Sequence, residues 1–159
     1  MEPQAKDMPA LPPPPMPSAA DAIQWELPTG WAESRPGGMR FATLKPPVPG
    51  KIDVSVIMLP GAAGGELGNV NRWRGQIGLP PIDEAGRAHV RKEVKSKAGG
   101  VSLYDFAGEG PDKQRMLAGL LFANDKSWFF KMVGDSTAVE AARPDFVKFL
   151  GNLHFPAGK

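Results

Sequence analysis

The sequence predicts an α+β domain in which an antiparallel sheet of about six strands is sandwiched between helices. Three observations predict it. Apolar stretches such as Ile52 to Leu59 and Ser127 to Val133 alternate with period two, as half-buried strands do. An Asn124-Asp125 pair separates two apolar runs, a hairpin signal that implies antiparallel neighbours. Elsewhere apolar residues recur at helical spacing, so helices are available to cover the sheet. A length of 159 residues with 42% hydrophobic residues suits one core and one domain.

The elements follow in chain order. Met1 to Ala22 carries Pro9, Pro12, Pro13, Pro14, Pro15 and Pro17 and little that packs. Such a run favours extended polyproline II, so residues 1–22 read as a disordered, Pro-rich tether; a proline-rich recognition ligand is the other reading. Residues 23–159 form the α/β/α domain, packed from about Ile23 to Phe155. Gln24 to Leu27 reads as a first strand entering the turn Pro28-Thr29-Gly30-Trp31. Met39 to Leu44 is a second strand, closed by the loop Pro46 to Gly50. Ile52 to Leu59 is a third, becoming continuously apolar as a central strand does.

Glycines 61, 64, 65 and 68 break that strand and lead into a helix with Leu67, Val70, Trp73 and Ile77 near one face. Gly78 and Pro80-Pro81 end it. Asp83 is the expected N-cap of a second helix from Glu84 to Lys95, with Val90 and Val94 four apart. Strands are then expected over Val101 to Phe106, Arg115 to Phe122 and Ser127 to Val133. The last of these sets Trp128, Phe130 and Met132 against Phe129, Lys131 and Val133. A final helix spans about Thr137 to Leu153, with Pro144 either kinking it or delaying its start to near Arg143.

Composition narrows the function classes. The net charge is only +2, without the clustered stripe that phosphate binding requires, so nucleic acid is not an expected partner. The basic run Arg87, Arg91, Lys92, Lys95 and Lys97, interrupted by Glu93, reads as a solvated helix face. With no cysteine, thiolate chemistry, disulfides and cysteine-based metal sites are excluded. No apolar run reaches membrane-spanning length. His89 and His154 lack further ligands at metal-binding spacing, and Ser55, Ser102 and Ser136 lack triad or elbow context. No catalytic residue, metal or cofactor is therefore assigned, and an enzyme is not expected. Trp128, Phe129 and Phe130 read as packing residues on a strand buried on both faces.

Leu27-Pro28-Thr29-Gly30-Trp31, Met39-Arg40-Phe41-Ala42, Trp128-Phe129-Phe130-Lys131 and the terminal Phe146-Val147-Lys148-Phe149-Leu150 before His154-Phe155 together resemble the Mog1/PsbP-type domain. The resemblance covers nearly the whole folded part and extends to a set of uncharacterised bacterial proteins. It implies a helix-covered antiparallel sheet. The superfamily includes photosystem accessory proteins and a nuclear-transport GTPase partner, mostly non-enzymatic.

One stretch stands apart from that resemblance. Asn69-Val70-Asn71-Arg72-Trp73-Arg74-Gly75-Gln76 follows the glycine turn and matches neither a phosphate loop nor a dinucleotide fingerprint. Asn69, Arg72 and Gln76 share one helix face, and Arg74 lies beside Asn71 on another. Two readings stand: these groups fix neighbouring loops with Trp73 in the core, or Arg72, Trp73 and Arg74 are exposed anchors of the hot-spot type. Asn69, Asn71, Arg72, Trp73, Arg74 and Gln76 are the candidate partner-binding residues. The expected function is a non-catalytic binding or accessory domain, a monomer, docking onto a larger protein or membrane-associated complex. The bacterial cell envelope or periplasm is favoured over the cytoplasm, with a removed signal or lipid anchor left open. The alternative is a small-molecule carrier or sensor with a pocket between sheet and helices.

Overall fold

The structure, a computed structural model, describes residues 23–35, 40–62, 64–108 and 114–156. The Pro-rich tether and Met39 lie outside the described residues. Seven strands form one sheet: β1 (Ala32–Ser34), β2 (Arg40–Lys45), β3 (Ile52–Pro60), β4 (Lys92–Ser96), β5 (Gly99–Ala107), β6 (Gln114–Ala123) and β7 (Lys126–Asp135). Among the described residues three helices accompany them: α1 (Glu66–Gln76), α2 (Glu84–Val90) and α3 (Ser136–Gly151). The strand order is β1-β2-β3-β7-β6-β5-β4, and every neighbouring pair is antiparallel.

Both faces of the sheet carry buried side chains. On one face, even-numbered β7 residues Trp128, Phe130 and Met132 meet Val54 and Val56 of β3 and the α3 residues Val139, Phe146, Phe149 and Leu150. The segment from Ile23 to Trp31 packs on that side too. Trp25 lies edge-on to Phe149 at 5.3 Å between ring centroids and to Phe41 at 6.1 Å, and Phe41 lies edge-on to Trp128 at 5.2 Å. On the opposite face, Phe129 joins Tyr104, Phe106, Met116, Ala118 and Leu120 beneath Val70, Trp73 and Ile77. The alternation read from β7 thus holds, and it makes the molecule an α/β/α sandwich.

The turn chemistry explains how the strands meet. Asn124 and Asp125 take φ of 55° and 61°, the left-handed values that a type I′ turn requires, and Ala123 pairs with Lys126 across it. At the other end of β7, Asp135 clamps the start of β3: its backbone N–H donates to the Lys51 carbonyl at 2.8 Å, and its carboxylate accepts from the Lys51 N–H at 2.9 Å. Gly134 permits that approach, because a Cβ there would overlap the Lys51 carbonyl oxygen.

Seven strands, not about six, come from one correction. The expected helix from Glu84 to Lys95 ends at Val90, because Arg91 adopts the extended values φ −72° and ψ 134°. Lys92–Ser96 then pairs with β5 as the edge strand β4. The four-residue spacing of Val90 and Val94 imitates a helix face, yet Val94 packs into the sheet core while Val90 stays exposed. The basic run is accordingly no single helix face. Lys92, Glu93 and Lys95 lie on β4, where charges discourage edge-to-edge pairing. Asp83 does cap α2, its carboxylate accepting from the Gly86 N–H at 2.8 Å.

One further expectation shifts, and the expected span of the last helix holds. Gln24 to Leu27 contributes only an isolated bridge, Gln24 to His154, and β1 forms beyond the turn. The last helix starts at Ser136, ahead of Arg143, and continues through Pro144 on its exposed side, where the lost N–H removes one ladder bond. Gly134→Ala is expected to cost about 1–3 kcal/mol by forcing β3 from β7. Urea unfolding reads this as a lower midpoint; an unchanged midpoint would show that the strands part there freely.

Candidate functional site

α1 begins at the glycine turn and ends in a Schellman motif. The Leu79 N–H donates to the Arg74 carbonyl at 2.9 Å and the Gly78 N–H to the Gly75 carbonyl at 3.1 Å, with Gly78 at φ 79°. Val70, Trp73 and Ile77 anchor the helix, Trp73 lying edge-on to Phe129 at 5.9 Å. The turn before it is tied down as well. The Gly61 N–H donates to the Asp125 carbonyl at 2.7 Å, and the Ser127 hydroxyl donates to the Gly61 carbonyl at 2.6 Å.

The six candidate residues separate into different tasks. Asn69 is buried, donates to the Gly65 carbonyl at 2.6 Å and accepts from Arg72 Nη1 at 2.6 Å. Asn71 bonds both backbone groups of Ile82, donating to its carbonyl at 2.9 Å and accepting from its N–H at 2.8 Å. Trp73 is 1% exposed, so the expectation of an exposed tryptophan anchor is corrected: the ring is core, because it fills the space over Phe129. Half-buried Arg74 donates from Nε to the Pro80 carbonyl at 2.7 Å, its guanidinium 5.5 Å from the Phe106 centroid. Gln76 is exposed and accepts from Lys131 Nζ at 2.9 Å. Arg72 is exposed, and beyond Asn69 it leans on the Trp73 ring at 5.9 Å.

Beneath the start of α1 lies a polar network that the sequence did not announce. The Tyr104 side chain is fully buried; its hydroxyl donates to Glu66 and accepts from Arg87 Nη1 at 2.8 Å. Arg87 also pairs with Glu66 at 3.0 Å and with Glu84, so one guanidinium joins α1, α2 and β5. Glu84 above all, and then Tyr104, hold its pKa above the ordinary arginine value. Arg91 extends the network, donating to the Ser102 hydroxyl at 2.8 Å. For Tyr104, burial first and donation to Glu66 second push the phenol up to about 12, with Arg87 opposing.

The groups considered for catalysis are dispersed. Ser55 and Ser102 are buried, the latter bonded to Arg91. His154 Nδ1 lies 2.9 Å from the Asn152 carbonyl, and His89 is exposed on α2. Asp105 is held in bidentate fashion by Arg115 at 2.9 and 2.7 Å. Among the described residues no group of three or more His, Asp or Glu side chains could hold a metal ion. Grooves open at the surface among the described residues, two of them sizeable. One, of about 340 Å³, is lined by residues including His89, Lys92, Leu103, Asp105 and Arg143; the other, of about 310 Å³, lies between Pro28 and Phe149.

Two residues near α1, and a third at the β6–β7 hairpin, gain a place that the sequence reading missed. Lys131 read as one of two alternating faces of β7, and Arg40 as a strand position; the sheet brings both to the side of α1 that carries Arg72 and Gln76. Phe122, the last residue of an expected strand, is 56% exposed near the hairpin tip. The signal for Lys131 was its position as a lone cation within an aromatic strand. Nothing local marked Arg40 or Phe122.

The fold has solved counterparts. It is similar to a protein from Bacteroides thetaiotaomicron at 9% identity and a TM-score of 0.52, covering 85% of this chain and 45% of that one. It is also similar to cyanobacterial PsbP (CyanoP) from Synechocystis at 12% identity and a TM-score of 0.50, covering 86% of this chain and 94% of that one. These likenesses show a PsbP-like fold. The chain thus spans less than half of the Bacteroides protein. No family model matches the chain, and no curated protein matches it. Among the described residues no helix is long and apolar enough to cross a membrane.

The buried phenol carries a pH signature. Tyr104 is the single tyrosine of the chain, so phenolate absorbance in the near ultraviolet reports it alone. Its pKa is raised from 10.0 to about 12, so between those values the unfolded chain loses a proton that the native state keeps. This stabilisation is complete below the unfolded value and is lost as pH rises through the folded one. Native protein should titrate near 12 and urea-unfolded protein near 10; a native midpoint near the unfolded one would disprove the buried bond to Glu66.

Proposed function

We propose that this chain is a non-catalytic accessory domain that docks onto a larger protein or a membrane-associated complex through the outer edge of α1. The observation that carries the reading is the division of labour within residues 69–76. Asn69, Asn71, Trp73 and Arg74 bond or pack inward, which holds the helix, the glycine turn and the 79–82 loop as one rigid piece. Arg72 remains turned to solvent on that piece. A cation presented on a preformed edge loses little conformational freedom on binding, which is how preorganised surfaces gain affinity. Arginine is also among the side chains most often found as interface anchors.

The resemblance to Mog1/PsbP-type domains supports an accessory role, and the dispersal of the histidines and serines supports the absence of chemistry. A place at the bacterial cell envelope belongs to this proposal, with the Pro-rich residues 1–22 as spacer.

Two substitutions separate scaffold from contact. Asn71→Ala strands two backbone groups of Ile82 and should lower stability by about 1–3 kcal/mol. Arg72→Glu loses its bond to Asn69 and should cost less than Asn71→Ala, about 0.5–1.5 kcal/mol, yet abolish cross-linking in the host from a photoreactive residue placed at Gln76. Persistence of the same cross-linked product in the Arg72 variant would remove α1 as the contact.

A further inference from the structure

We propose that the outer edge of α1 and the β2–β3–β7 surface beside it form a cationic ledge that seats an acidic, carboxylate-bearing segment of a protein partner. This rests on the docking reading and adds the chemistry of the partner. A single row of residues crosses five strands in register: Thr43 on β2, Ser55 on β3, Lys131 on β7, Ala118 on β6 and Tyr104 on β5. The core beneath α1 takes in the Ala118 and Tyr104 end of that row, and Gln76 meets Lys131 at the boundary. At the other end Thr43 and Lys131 are half-buried, with Ser55 buried between them. Arg40 flanks it from β2, donating to the Thr43 hydroxyl at 3.2 Å.

Charge on the ledge is unbalanced. Arg40, Arg72 and Lys131 bring three cations, while Asp53 is the carboxylate that acts on them. That carboxylate is already taken by Arg40, through contacts of 3.0 and 3.2 Å. Among the described residues no carboxylate lies within ion-pair distance of Arg72 or Lys131; their bonds go to the neutral amides of Asn69 and Gln76. Burial, and next the charge of Arg72, hold the Lys131 pKa below the ordinary lysine value. An incoming anion offsets the repulsion from Arg72.

Spacing selects the kind of anion. Arg40 and Lys131 stand two strands apart, about 10 Å between backbones. The donors are side chains strung along a ledge, with no convergent set of backbone N–H groups among them. Such an array suits several separated carboxylates better than one compact phosphate.

The test uses the full chain and a fluorescein-labelled oligoglutamate peptide, followed by anisotropy at low ionic strength. Binding should weaken with rising salt. Arg72→Gln combined with Lys131→Gln should weaken it about tenfold, whereas Lys148→Gln on α3 should leave it unchanged. Asp53→Asn removes the competing carboxylate and should tighten binding severalfold, so the proposal stays testable even if the double variant folds poorly by circular dichroism. Equal affinity across all these variants, or displacement of the peptide by inorganic phosphate at matched charge, would overturn the ledge. The two readings fail separately. Loss of the cross-link in Arg72→Glu with unaltered oligoglutamate binding leaves docking intact and removes the acidic partner; the reverse pattern keeps the ledge and removes α1 as the host contact.

Discussion

β7 must bury large side chains on both of its faces, and the remaining architecture answers to that demand. Trp128, Phe130 and Met132 cannot be hidden by the layer that hides Phe129. The strand therefore lies at the centre of the sheet, between β3 and β6, with a helix layer on either side. α3 and the segment from Ile23 to Trp31 close one face through a chain of edge-on aromatic contacts. α1 closes part of the other by setting Trp73 over Phe129. Each aromatic in such a position contributes several kcal/mol, of the order lost on truncation to alanine.

The second face is the more informative, because its cover is incomplete. α1 is short, and much of what holds it is polar. Glu66, Tyr104 and Arg87 pin its start, the two bonds of Asn71 to Ile82 pin the loop that follows it, and Gln76 reaches Lys131 at its end. A partly buried network of this kind favours one arrangement, since any slip would leave its charges unpaired. The same residues that fasten the helix bring Arg72, Lys131 and Arg40 to one side of it. Most side chains of the stretch from Asn69 to Gln76 thus build the platform, and Arg72 is turned to solvent on it.

Much of this was legible along the chain. The period of two in β3, β5 and β7, the Asn124-Asp125 hairpin, the Gly78 helix stop and the Asp83 cap each depend on residues within a few positions of one another. The error at β4 has a physical cause. A valine pair four apart satisfies a helix and, with only one of the two buried, a helix followed by a strand; pairing with Gly99 to Leu103 decided between them. Gln24 to Leu27 failed as a strand for a related reason, since Gln24 alone finds backbone partners, on His154 at the far end of the fold. Within the candidate site, Trp73 was readable as core or as anchor. Its burial was settled by Phe129, 56 positions later in the chain (129 − 73).

By itself the sequence determined the α+β class, the period of most strands, the turns and caps, and the composition that argues against nucleic-acid and thiol chemistry. These rest on short-range sterics and hydrogen bonding, which neighbouring residues specify. The tertiary structure alone decided the strand order, the capture of Arg87 by Glu66 and Tyr104, and the meeting of Arg40, Arg72 and Lys131. Those groups come from β2, α1 and β7, and only sheet register and the packing of α1 bring such distant positions side by side.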